Sequence, residues 1–158
     1  MNQAPAAGTT PQTLSSLLLP LTDRTLLVPS VALAELINQR PAEPRIGVPD
    51  WYLGDIVWRD LCLPLLSFET ASSGTPPAAP APGARIAVIN ALGGRPHLKF
   101  FALLVQGIPR PYKLDASLAP AGAPLAALEL DSAQVEGGVA RIPDLVELEQ
   151  KLADIGLI

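Results

Sequence analysis

Two carboxylates five residues apart, Asp55 and Asp60, head the inventory of groups that could do chemistry. On a hairpin such a pair could converge as glycosidase acids do, one protonating a leaving group while the other acts as base or nucleophile. Against that reading, no paired acidic motif recurs, and no pocket can be inferred from the chain. His97 is the single histidine and follows Pro96 in a turn. A general base needs a nucleophile and an orienting carboxylate within reach. The sequence indicates neither, so His97 reads as a surface histidine. Cys62, the single cysteine, lies in an apolar strand run and reads as a buried small hydrophobe. One Cys and one His exclude a Cys–His zinc cluster and a disulfide framework. There is no G-x-G-x-x-G, no P-loop and no H-E-x-x-H. No cofactor and no metal are expected, and the chain reads as a non-enzyme.

The composition agrees. The chain has 158 residues, 49% of them hydrophobic and 16% charged, with a net charge of -4. That suffices for one domain, or two small lobes sharing a chain, around a core of useful size. Eighteen prolines and 12 glycines disfavour long helices. An acidic pI near 4.9 argues against non-specific nucleic-acid binding, which needs a basic face. The longest apolar runs, 17–21 and 100–105, are strand-sized, so no membrane insertion is expected. Residues 1–13 carry no basic group and no apolar run, unlike a secretory signal. With one unpaired Cys, this points to a reducing, cytoplasmic setting.

The elements that would position these groups are short. Residues 1–13 are small and polar and are expected to be disordered. Runs 16–21 and 25–28 flank Thr22-Asp23-Arg24, a hairpin signal. Segment 30–38 is expected to form about two helical turns, with Ser30 as a cap. Runs 53–58 and 61–68 flank Arg59-Asp60, a second hairpin, where Pro64 implies an edge or a bulge. Residues 70–84 are low in complexity, with four prolines, and read as a flexible linker dividing two lobes. Strands follow at 85–91, 99–105 and 112–114, a loop at 116–124, and a last hairpin over 126–131 and 134–142, with Gly137-Gly138 at a bulge or tip. Leu145, Leu148, Leu152 and Ile155 define an amphipathic C-terminal helix over 143–157, with Pro143 in its first turn. Its acids Glu147, Glu149 and Asp154 read as a solvated face. About nine short strands with two helices indicate barrels or a sandwich.

Residues 47–68, GVPDWYLGDIVWRDLCLPLLSF, resemble the CheW-like family. The family pattern places a Gly, an Arg five residues on and a Pro five further on, which Gly54, Arg59 and Pro64 reproduce. Upstream, Leu26 to Pro29 followed by Val31 to Leu36 resembles the family's second strand and short helix, closed by a glutamate, here Glu35. Downstream, Phe101 to Arg110 resembles the strand and turn of the second lobe, and Gly138 to Leu148 the last strand and helix. The resemblance spans about residues 16–155. Two positions depart from it: Asp60 stands where the family has Gly, and Ser67-Phe68 where it has an acid. The stretch from Val105 to Arg110 resembles the CheW-like proteins of chemosensory systems controlling type IV pili.

The resemblance implies a mainly β fold of two intertwined five-stranded barrels, one CheW-like domain over 14–158, and no enzymatic activity. It implies an adaptor coupling a chemoreceptor tip to the regulatory domain of a CheA-type histidine kinase. One lobe would dock on the kinase, and a groove between the lobes would take the receptor helix. No nucleic acid and no small-molecule substrate are implied. A peptide-binding β-barrel outside chemotaxis is the nearest alternative to the adaptor. Arg59 is then the family's motif arginine or a hairpin-tip arginine in solvent. Glu35 is the family glutamate or a solvated helix residue. Gly54 and Asp60 flank the motif arginine and join the partner-binding set. Leu33 and Leu36 would line the groove or belong to the core. Trp51, in a Pro-flanked loop, is the aromatic expected at an interface, and Trp58 is expected in the core.

Overall fold

The computed structural model describes residues 14–114, 118–135 and 138–156. The expected disorder of residues 1–13 lies outside them, as does Gly137. Eleven strands are described: β1 (Leu14–Pro20), β2 (Thr25–Pro29), β3 (Leu33–Asn38), β4 (Tyr52–Trp58), β5 (Leu61–Leu66), β6 (Arg85–Asn90), β7 (Phe100–Val105), β8 (Arg110–Leu114), β9 (Ala119–Pro120), β10 (Glu129–Val135) and β11 (Gly138–Pro143). Two α-helices join them, α1 (Phe68–Ser73) and α2 (Leu145–Asp154).

The strands form two sheets. A six-stranded sheet runs β8-β1-β2-β11-β10-β9, and a five-stranded sheet runs β3-β6-β7-β5-β4. The chain therefore starts in the larger sheet, builds all of the smaller one, and returns. The mainly β, intertwined expectation holds. The lobe boundary does not fall at 70–84, because that stretch joins β5 to β6 within one sheet.

Alternation explains why so many strands read as unbroken apolar runs. In β7, Phe101, Leu103 and Val105 face a cluster between the sheets, while Ala102 and Leu104 face a second cluster inside the smaller sheet. In β6, Ala87 and Ile89 take the first side, and Ile86 and Val88 the second. In β2, Leu26 and Val28 face the central cluster, while Leu27 faces a third inside the larger sheet. A strand buried on both faces loses the polar half of its period. Leu145, Leu148 and Leu152 lay α2 on the central cluster, as the spacing required.

Four local expectations are corrected. Segment 30–38 is not a helix: a 3-10 turn at Ser30–Ala32 leads into β3, which pairs with β6. Partnering Ile89, Val88, Ala87 and Ile86 lets Leu36 and Ile37 pack on opposite clusters, which outweighs helical propensity. Residues 68–73 are not linker but α1. Ser67 Oγ accepts from the Thr70 N–H, Gly74 at φ 76° ends the helix, and Phe68 is fully buried. Residues 75–80 beyond it are exposed. Pro143 ends β11, and the cap of α2 is Asp144, accepting from Glu147 N–H at 3.0 Å. Cys62 is exposed, because it pairs with Val57 on a part of the hairpin that the core does not cover. Pro64 meets the expectation of a local edge: there β5 has β4 as its one paired neighbour. β7 begins to pair with β5 only at Leu65, so the missing N–H removes no bond to that neighbour.

Arg24 ties the larger sheet to α1. From the β1–β2 turn its Nη1 donates to Glu129 Oε2 at 2.8 Å and Ser72 Oγ at 2.7 Å, and its guanidinium lies 5.7 Å from the centre of the Phe68 ring. Burial alone would lower its pKa, but Asp23 and Glu129 outweigh that and raise it. Asp23 is held below the usual carboxylate range by the hydrogen bond from Arg24. A depressed folded-state pKa stabilises above the unfolded value and loses that stabilisation as pH falls through the folded one. The melting-temperature lead over Asp23→Asn should therefore be present at neutral pH and close as pH drops below about 4. A lead unchanged to low pH would mean that Asp23 acts by shape, not charge.

Candidate functional site

The site grows from how the five-stranded sheet closes. Its edges are β3 and β4, yet side chains from both meet. The sheet curls round its own cluster, built on Ile56, Trp58, Leu63 and Leu65. Residues 40–43 cross the seam: Arg40 Nη1 donates to Val57 O at 2.9 Å, and Glu43 exchanges two 2.8 Å backbone bonds with Asp55. Gly54 makes this crossing possible. At φ 141°, with Ala42 and Glu43 pressed against it, a Cβ there would lie 2.5 Å from Glu43 O. Gly54 is buried, so its place is under the surface that its neighbours present.

Above the seam lie the motif residues. Trp58 is buried edge-on to Phe100, with ring centroids 4.9 Å apart. Its indole N–H must find an acceptor, and it donates to Glu35 Oε1 at 2.9 Å. Arg59 Nη2 donates to the same oxygen at 3.0 Å, with the guanidinium 4.8 Å over the Trp58 ring. Glu35 and Arg59, 24 residues apart in sequence, are thus one cluster on the surface. The Arg59 side chain is 69% exposed and that of Glu35 39%, so the pair adds less than about 1 kcal/mol to stability. Sequence reasoning placed Trp58 in the core and missed its bond to Glu35. The signal was a tryptophan next to the motif arginine, whose N–H needs a partner once buried.

The departure at Asp60 has a physical reading. Arg59 and Asp60 have φ of 48° and 64° between the paired Trp58 and Leu61, a two-residue turn with both φ positive. Asp is among the few residues that tolerate this region without being Gly. The turn survives the replacement, and Asp60 stands exposed at the tip. Exposed Val57 and Leu61 flank it.

The other candidates lie elsewhere. Leu33 and Leu36, on β3, are half-buried against the central cluster. Trp51 is half-buried against the same cluster, and its carbonyl accepts from Ser67 N–H at 2.8 Å. Glu149 is no solvated residue: it is fully buried, and its carboxylate accepts from Leu92 N–H at 2.9 Å and Gly93 N–H at 3.0 Å. The paired acids do not converge. Asp55 is engaged by Tyr52 Oη–H and Arg45 within β4, while Asp60 stands exposed at the tip of the turn beyond that strand's end. Among the described residues no cluster of three or more His, Cys, Asp or Glu could hold a metal. No helix there is long and apolar enough to cross a membrane.

The molecule is built of two curled β-sheets, each with its own interior, around a shared central core. That architecture is the CheW-like fold. The chain superposes on the scaffolding protein CheW from Thermoanaerobacter tengcongensis with a TM-score of 0.71, covering 86% of this chain and 87% of that one at 16% identity. No family model matches the sequence. No curated protein matches it either.

Proposed function

We propose that this protein is a non-enzymatic, cytoplasmic adaptor that couples a chemoreceptor to a CheA-type histidine kinase. The observation that carries the reading is the cluster of Glu35, Trp58 and Arg59 on a CheW-like fold. The two polar residues that the family resemblance singled out separately share one oxygen on an exposed surface. A charge pair nearly free of any stabilising duty suits recognition, because exposed charges fix register and partner choice more than they stabilise. Val57 and Leu61 supply apolar contact beside it. The kinase's regulatory domain docks at this hairpin, and the receptor tip, a methyl-accepting protein, docks at the junction of the sheets near Leu33 and Leu36. Both contacts share one rigid body, so signal passes as geometry. The resemblance of Val105 to Arg110 to pilus-type relatives supports a pathway that controls type IV pili and twitching motility.

The test is binding to the regulatory domain of the cognate kinase. A complex is expected at or below ~100 μM, within the range of transient signalling contacts. Arg59→Asp should weaken it at least ~10-fold, since it turns an attraction to Glu35 and the partner into repulsion. Its melting temperature should change little, because the new repulsion lies in an exposed, solvent-screened pair and Asp accepts positive φ better than Arg. Absence of any complex would overturn the adaptor. A large loss of stability would instead make Arg59 structural.

A further inference from the structure

A second feature of the β4–β5 hairpin is independent of the adaptor reading. Asp55, Cys62 and Pro64 line a cleft of about 350 Å³ together with the 96–100 loop and Leu152 of α2. That volume lies in the lower part of the range of small-molecule sites, about 300–1,000 Å³. Its apolar walls include Leu63, Leu98 and Phe100. Three cationic or protonatable side chains, Arg45, His97 and Lys99, stand around them.

The charge in the cleft is unbalanced. Asp55 is the acid of the lining, and both its oxygens are occupied: Tyr52 Oη–H donates to one and Arg45 Nε to the other at 2.6 Å. Burial first, then the Asp55 hydrogen bond and charge, push the Tyr52 phenol well above its usual range, so Tyr52 stays a donor. Only Nε of Arg45 is spent on Asp55, leaving its terminal nitrogens free for another acceptor. Neither His97 nor Lys99 pairs with an acid among the described residues. Asp55 answers Arg45, but the lining holds no acid opposite Lys99, so the cleft carries a surplus of positive charge.

We propose that the cleft binds a small organic acid with an apolar body. The hydrocarbon lies on Leu63, Leu98 and Phe100, and the carboxylate meets Lys99, His97 and the free end of Arg45. Desolvated apolar surface supplies affinity, and the cations select the charged ligand over a neutral one.

Cys62, the only thiol, lines the cleft and is exposed, so it reports occupancy. The rate of its alkylation by the neutral reagent iodoacetamide is measured with the full chain. The probes are 2-naphthylacetate and its uncharged counterpart 2-(2-naphthyl)ethanol, each to ~5 mM, where millimolar dissociation constants are read. Naphthylacetate should slow alkylation at least ~5-fold and the alcohol less than ~2-fold. Lys99→Glu, an exposed position, should abolish the ratio between the two probes while the circular dichroism stays unchanged. His97→Ala should reduce it. No protection by the acid, equal protection by acid and alcohol, or a ratio that survives Lys99→Glu would each overturn the proposal.

Discussion

Gly54→Ala should lower the free energy of unfolding by about 4 kcal/mol. Two costs add. The backbone φ of 141° lies where an L side chain is strained, and the new Cβ would meet Glu43 O at 2.5 Å and Ala42 Cβ at 2.8 Å. The obstacle is backbone, held by the paired bonds between Glu43 and Asp55, so it cannot swing aside as a side chain would. The loss is a large share of the 5–15 kcal/mol typical of a domain. It reads out as a lower urea midpoint at unchanged slope. Gly47→Ala is the control. It too has positive φ, at 80°, but nothing lies within 4 Å of its would-be Cβ. It should cost about 1–2 kcal/mol. Equal losses at both positions would show that strain alone, not the crossing of the seam, accounts for Gly54. Since the crossing also fixes the edge from which Glu35 reaches Arg59, Gly54→Ala should weaken the proposed kinase contact wherever it remains folded.

Glu149→Ala is expected to cost about 3 kcal/mol, although sequence pattern assigns Glu149 to the solvated face of α2. The carboxylate is fully buried and satisfies two backbone donors in the turn after β6, with Arg95 Nη1 at 3.4 Å. Alanine would take the acceptor from the Leu92 and Gly93 N–H groups and empty the fully buried site beneath that exposed turn, so lost charge-assisted bonds add to a cavity. Glu149→Gln keeps one acceptor oxygen and should lose about half as much. Amide exchange separates this from a general loss of packing. Leu92 and Gly93 should exchange faster in Glu149→Ala, while strands of the larger sheet follow only global unfolding. A loss below about 1 kcal/mol with unchanged exchange would mean that the turn holds without its carboxylate.

These two residues mark the limit of what one dimension shows. Gly54 was legible as part of a spaced motif, but its reason was not. That reason is the passage of residues 42–43, which no local pattern encodes. Glu149 was misread because helical periodicity separates apolar from polar positions. It says nothing of a loop that arrives from 56 residues away to use a carboxylate. Segment 30–38 went wrong the same way. Its apolar spacing suits a short helix, and only the pairing with β6 makes it a strand.

Much was nonetheless determined locally. The two early hairpins follow from polar turn residues between strand-length apolar runs. α2 follows from Leu145, Leu148 and Leu152 at helical spacing. The spacing of Gly54, Arg59 and Pro64, with Glu35 upstream, carried the resemblance to a fold that the structure then displayed. These are short-range facts, set by turn chemistry, side-chain period and residue order. Tertiary structure decided what long-range closure decides: that β3 and β4 meet across a curled sheet, that Trp58 and Arg59 share Glu35, that Cys62 shares one cleft with Arg45, His97 and Lys99, and that Glu149 is buried. Each depends on a contact between residues far apart in sequence, whose burial and partners exist only once the sheets curl and pack.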